Sequence, residues 1–239
     1  MPASDFNYLT TNGAITITGY GGTGGTVTIP ATINGLPVTA IGQSAFVCNL
    51  NLTGVIIPDT VTNIGETAFE SCLELTNAVI GVGVLSIGPS AFAGCAKLTS
   101  MAIPQTVLDI GTLAFSQCTS LGSITVDPLN SSYRGVDGTL FDKNATTLIQ
   151  YPEAKTGYYA VPDTVTQIDQ RAFLSCSYLP GIKLPNGLSS IGAGAFAGCV
   201  NLTNLTIPDS VTNIGDQAFA SCGRLAKVTL PALLTRIPL

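Results

Sequence analysis

An Ala-Phe pair recurs seven times along this chain: Ala45-Phe46, Ala68-Phe69, Ala91-Phe92, Ala114-Phe115, Ala172-Phe173, Ala195-Phe196 and Ala218-Phe219. Successive phenylalanines stand 23, 23, 23, 58, 23 and 23 residues apart. Other columns keep the same step. An isoleucine lies five residues before each Phe (Ile41, Ile64, Ile87, Ile110, Ile168, Ile191, Ile214), and Ile237 continues the series. A Val or Leu lies three residues before each Ile, from Val38 to Leu234, and a Leu lies six residues after each Phe, from Leu52 to Leu225. A fixed period of this kind is the mark of stacked units, none of which can bury its apolar side alone. Each column then becomes a continuous spine, with equal positions repeated at strand spacing, about 4.8 Å.

A 23-residue period lies in the range of leucine-rich repeats. The pattern predicts a right-handed solenoid with parallel main strands, short second strands at Val-Thr-x-Ile-Gly and a single helical turn at each Ala-Phe. It divides one domain over 1–239 into a cap (1–35), regular coils (36–126), an altered coil (127–158) and further regular coils (159–239). In the cap, Ala14–Thr18 and Gly25–Pro30 are expected to pair as a hairpin across a glycine-rich turn. The 58-residue gap equals two periods and twelve extra residues. There Thr139-Leu140-Phe141 and Thr147-Leu148-Ile149 flank Asp142-Lys143-Asn144-Ala145, which predicts a β-hairpin in place of the usual Ala-Phe and Cys segment. The last coil, ending at Arg236-Ile237-Pro238-Leu239, carries no polar capping unit and suggests a segment of a longer array.

Composition supports a packed repeat and narrows the chemistry. Hydrophobic residues make up 46% and charged residues 10%, so disorder is excluded. Net charge is −5 with no basic run, which argues against a nucleic-acid partner. No apolar stretch approaches the roughly 20 residues that insert into a membrane, and the first residues lack the regions of a leader peptide. Histidine is absent, which removes the commonest general base and the Ser-His-acid triad. No catalytic residue, metal site or cofactor is assigned. Gly19-Tyr20-Gly21-Gly22-Thr23-Gly24 has the letters of a dinucleotide fingerprint, but a strand ending in Pro30 follows where a helix is required. Asp142-x-Asn144-x-Thr146 lacks the acidic ligands of a calcium loop and reads as a turn. Asp59, Asp163 and Asp209 recur by register after a proline and are turn residues. A Thr column (Thr39, Thr62, Thr166, Thr212, Thr235) invites comparison with ice-binding arrays, yet Leu85, Leu108 and Ser189 interrupt it. Asn51, Asn130, Asn144, Asn201 and Asn204 head glycosylation sequons, relevant only in a source that modifies extracellular loops.

Six cysteines (Cys72, Cys95, Cys118, Cys176, Cys199, Cys222) stand three residues after the repeat Phe and are expected to form a buried structural column. Parallel Cβ atoms at strand spacing are too far apart for disulfides. Cys48 departs from this register, with Asn49 in the column position, and is either displaced outward or buried in its coil.

These motifs resemble the BspA-like leucine-rich-repeat family of bacterial surface and secreted proteins. The carrying residues are Ile64-Gly65-x-x-Ala68-Phe69-x-x-Cys72-x-x-Leu75, Ile103-Pro104, Val211-Thr212-x-Ile214-Gly215 and Tyr133-x-x-Val136-Asp137-Gly138-x-Leu140-Phe141. The resemblance spans residues 14–238. It implies an extracellular or cell-surface, non-enzymatic module associated with adhesion to a host, matrix or neighbouring cell-surface protein, or to a glycan. A spacer that presents another domain is the alternative. Two places are candidates for partner contact. One is the outward face of the main strands, at Ile56, Asn77, Val79 and Lys183. The other is the altered coil, which gathers Tyr133, Arg134, Tyr151, Tyr158 and Tyr159, residue types that anchor interfaces.

Overall fold

A computed structural model describes residues 2–231 and Leu234. They divide into two compact units: Met1–Leu121 with Val126–Ser132, and Gly122–Thr125 with Tyr133–Leu239. Each is a stack of coils built almost entirely from short strands and turns. The uncapped end expected at Arg236–Leu239, with Thr235 and Ile237 of the columns, lies outside the described residues.

In the N-terminal unit, Phe6–Thr11 and Ala14–Tyr20 form an antiparallel hairpin. Its Asn12-Gly13 turn has φ of 50° and 76°, the positive values that a type I′ turn demands. The hairpin expected between Ala14–Thr18 and Gly25–Pro30 does not form. Ala14–Tyr20 pairs in parallel with Leu36–Ile41, setting Ile15 beside Val38 and Ile17 beside Ile41. Gly25–Thr28 pairs in parallel with Leu52–Ile56. The two segments are thus a second strand and a main strand of one coil, in register with the apolar columns that bury them. The glycine-rich stretch links them around a corner where Gly24 (φ +90°) leaves no room for a side chain. A Cβ there would stand 2.4 Å from the Asn51 carbonyl oxygen. Asn63–Ile64, Ser86–Ile87 and Asp109–Ile110 extend the second-strand ladder, and Asn77–Val79 extends the main-strand ladder.

The Ala-Phe segments are not helical turns. Each carries two left-handed residues, two before and two after the Phe, as at Ser44 and Cys48 (both φ 55°) or Ser90 (φ 53°) and Gly94 (φ 72°). With this backbone, successive N–H groups find different partners. Ser44, Phe46 and Cys48 donate to Glu66, Ala68 and Glu70 of the next coil, while Ala45, Val47 and Asn49 donate three residues back. In a helical turn the N–H groups would all point the same way along its axis, and alternate ones would not be directed at the next coil. Glycine at the preceding corner is also imposed by stacking. A Cβ on Gly88 or Gly111 would come within 2.7 and 2.3 Å of the backbone nitrogens of Glu66 and Pro89.

Inside this unit the phenylalanines stack as predicted. Phe46, Phe69, Phe92 and Phe115 follow one another at 4.8, 5.0 and 6.0 Å between ring centroids, within 20° of parallel. All four are buried. Full burial of one such ring is worth on the order of 2–3 kcal/mol.

The C-terminal unit opens with the altered coil, which is larger than the expected hairpin. Tyr133–Val136, Thr139–Asp142 and Thr147–Gln150 form a three-stranded antiparallel meander. The Asp142 carboxylate holds the second turn by accepting from the Thr146 and Thr147 backbone N–H groups and the Thr146 hydroxyl. Thr147–Gln150 then pairs in parallel with Gln167–Ile168, so that the meander ends as an ordinary second strand. The aromatic position is not replaced, contrary to expectation. Tyr151 fills it, donating its N–H to the Ala172 carbonyl at 2.8 Å and stacking 4.9 Å from Phe173. Phe196 and Phe219 continue this column at 4.8 and 5.6 Å.

Candidate binding surfaces

The cysteine column belongs to the core. Cys72, Cys95 and Cys118 of the N-terminal unit are buried, and each thiol donates to the carbonyl of the Phe one coil earlier, at 3.0–3.2 Å. Cys199 and Cys222 repeat this contact on Phe173 and Phe196 at 3.1 Å, with Cys222 only half-buried. Cys176 faces the Tyr151 carbonyl at 3.9 Å. All are free thiols. Burial pushes Cys72 and Cys199 up to about 12 and drives Cys95, Cys176 and Cys222 upward as well, so the nucleophilic thiolate is suppressed. Cys48 is exposed, which decides between its two readings. Its neighbour Asn49 accepts from the Asn51 N–H at 3.2 Å and so closes its own turn.

The other singled-out polar groups have structural duties. Asp59 accepts from Val82 N–H one coil on. Hydroxyls of Thr62, Ser189 and Thr212 donate to the carbonyls of Thr39, Thr166 and Ser189, so this column ties coils together. Asn130 is wholly buried and cannot serve as a glycan acceptor. Its amide donates to the Pro104 and Val107 carbonyls at 2.8 and 2.9 Å and its oxygen accepts from Ser132 N–H. The glycine-rich segment runs from strand to strand with no helix after it. Among the described residues no group of acidic or cysteine side chains could hold a metal, and no helix is long and apolar enough to cross a membrane.

The partner-contact candidates separate into four groups. Ile56 and Val79 are paired neighbours on outward main-strand positions of the N-terminal unit, 39% and 46% exposed. Asn77 is exposed beside them, opposite Gly54. Small side chains at Ser100 and Ala102 follow, so the two apolar side chains stand above low surroundings. In the C-terminal unit, Tyr158 is 67% exposed and shares one groove with exposed Lys183.

Tyr151 and Tyr159 are corrections. Both are buried, at 1% and 6% exposure, because the altered coil spends them on its aromatic column. Their rings lie 4.8 Å apart, and the Lys155 ammonium sits 5.5 and 5.1 Å from the two ring centroids while pairing with Asp137 at 2.7 Å. Lys155 is the residue that sequence reading missed. Its only signal was an isolated lysine four residues beyond Tyr151. Tyr133, half-buried, and Arg134, exposed, are successive strand residues and therefore point to opposite faces of the meander.

Comparison with known proteins agrees with this architecture. The profile described as "BspA type Leucine rich repeat region (6 copies)" matches residues 39–160 and 151–238. A leucine-rich cell surface protein from Faecalibacterium prausnitzii is similar over 100% of this chain and 90% of its own, at 29% identity and a TM-score of 0.58. The leucine-rich repeat protein of T. pallidum is 28% identical over 94% of this chain and 90% of its own, with a TM-score of 0.59. Pneumococcal vaccine antigen PcpA shares the fold, at 21% identity over 97% of this chain and 81% of its own, with a TM-score of 0.70. No functionally curated protein matches the chain. Its repeat, its stacked aromatic columns and the extent of the profile match place the chain in the BspA-type leucine-rich-repeat family.

Proposed function

We propose that this chain is a non-enzymatic protein-binding module of a surface-displayed or secreted protein, and that it docks a protein partner on the outward main-strand face of its N-terminal unit. The observation that carries the reading is the exposure of Ile56 and Val79 side by side in register. Other exposed apolar side chains of these coils, such as Leu85 and Leu108, lie outside the strands, whereas Ile56 and Val79 stand together on a regular strand face, where a partner can lie flat. The similar cell surface protein of F. prausnitzii supports an extracellular setting. The test is retention of host and matrix proteins on the immobilised chain, repeated with the double variant Ile56→Ser/Val79→Ser. That variant is expected to weaken retention at least about ten-fold, as loss of a central apolar anchor does, with an unchanged melting curve. Tyr133→Ala/Arg134→Ala is expected to bind like the unsubstituted chain. Retention indifferent to Ile56→Ser/Val79→Ser, or no retention at all, makes the chain a spacer instead.

A further inference from the structure

A groove of about 560 Å³ opens on the main-strand side of the C-terminal unit, a volume suited to a small ligand. Its floor runs between Ile182–Lys183 and Asn204–Thr206, strands that pair outward with different neighbours. Tyr158 lies along one wall. Its ring rests on Gly181, where a Cβ would come within 3.0 Å of Cδ2 and 3.2 Å of Cε2. Glycine is therefore what allows the ring to lie against the neighbouring coil with most of its surface in solvent. Across the groove, the Thr203 hydroxyl donates to the Pro180 carbonyl at 3.2 Å and accepts from the Asn204 amide at 3.3 Å, which holds that amide in place. Exposed Thr206 adds a hydroxyl. Lys183 lines the groove, and Lys227 stands beside Asn204 on the next rung. Among the described residues no acidic side chain lines it, in a chain of net charge −5.

We propose that this groove binds an acidic saccharide. The exposed tyrosine face offers a platform for the C–H side of a pyranose ring. The Asn204 amide and the Thr206 hydroxyl are partners for ring hydroxyls, and the two ammonium groups attract a carboxylate. An extended peptide fits less well, because strand addition requires an open sheet edge. Here the segments leading into the two strands are joined by the Thr203 N–H to Pro180 carbonyl bond, which sets the coils one rung apart and leaves no room for a third strand between them. The site is separate from the Ile56 and Val79 face and does not depend on it.

The test presents the full chain with an array of oligosaccharides bearing uronic or sialic acids, their carboxyl-reduced counterparts and a polyglutamate peptide. At least one acidic saccharide is expected to be retained, and its reduced counterpart much more weakly. Tyr158→Ala is expected to weaken that binding at least about ten-fold; the side chain is exposed, and an unchanged melting curve confirms the fold. Lys183→Met/Lys227→Met is expected to erase the preference for the carboxylated form. Ile56→Ser/Val79→Ser is expected to leave saccharide binding intact, which separates this site from protein docking. The proposal is overturned if no acidic saccharide is retained, if Tyr158→Ala binds as well as the unsubstituted chain, or if reduced saccharides or polyglutamate bind as tightly.

Discussion

In each unit the first repeat phenylalanine leans on a tyrosine, but the two tyrosines are covered by different means. Tyr20 lies 5.3 Å from both Phe6 and Phe46, so the N-terminal hairpin covers its own tyrosine with the phenylalanine of its other strand. Tyr151 stacks on Phe173, and its other neighbours are tilted Tyr159 and the ammonium of Lys155. Charge diverges in parallel. The N-terminal unit has one basic and seven acidic residues, whereas the C-terminal unit has eight basic and seven acidic. Outward strand positions follow suit, with Ile56 and Val79 in one unit and Tyr158, Lys183 and Lys227 in the other. A repeat that commits its inward columns to packing leaves its outward columns free to specialise, since exposed side chains carry little of the stacking energy.

If the columns are equivalent, equivalent deletions should cost the same. Phe92→Ala and Phe196→Ala lie inside their respective columns, and each is expected to lose about 3–5 kcal/mol in chemical denaturation. A loss well below about 1 kcal/mol in either unit would break the equivalence.

The thiol columns give a smaller effect shared by both units. Cys72 and Cys199 hold their protons up to about pH 12 in the fold, against the ordinary 9 of an exposed thiol. Above pH 9 the unfolded chain releases thiol protons that the folded chain retains. Their contribution is therefore whole below pH 9 and is lost as pH rises towards 12. The denaturation midpoint should fall over that window, and Cys48 should be the thiol that labels rapidly at neutral pH. Rapid modification of the column thiols in the folded protein would count against their burial.

The sharpest difference between the units predicts the smallest change. Lys155→Met removes a cation from two tyrosine rings and is expected to cost about 1 kcal/mol, measurable as a lowered midpoint that Asp137→Asn reproduces only in part. Equal loss in the two variants would assign the effect to the ion pair rather than to the rings. The ion pair is expected to add little, because Asp137 is largely exposed.

Much of the core was readable from spacing alone. A period of 23 residues placed the Ile, Phe, Leu and Cys columns, and the structure packs them together, with Ile110, Phe219, Cys222 and Leu225 only half-buried. The local backbone at Ala-Phe was not readable, because an apolar pair flanked by polar residues suits a helical turn as well as two left-handed turns. The choice was made by the N–H groups: with left-handed residues two before and two after the Phe, every second one finds an acceptor on the next coil. The pairing of Ala14–Tyr20 escaped for a similar reason. Alternating Ile15 and Ile17 suit any partner strand, and only the neighbouring columns select Val38 and Ile41. Tyr151 and Tyr159 looked like surface anchors because the missing Ala-Phe pair concealed that an aromatic residue was still required.

By itself the sequence determined that this chain folds as a leucine-rich-repeat solenoid, which apolar columns it packs, and that six of its cysteines share one such column. Those properties follow from periodicity, since residues one period apart must meet once coils stack. Only the tertiary structure decided which tyrosines are core and which are surface, that Cys48 faces solvent, and that Tyr158, Lys183 and Asn204 share a groove. Those outcomes depend on how one altered coil joins regular ones, where residues distant in the chain become neighbours without any repeat to announce it.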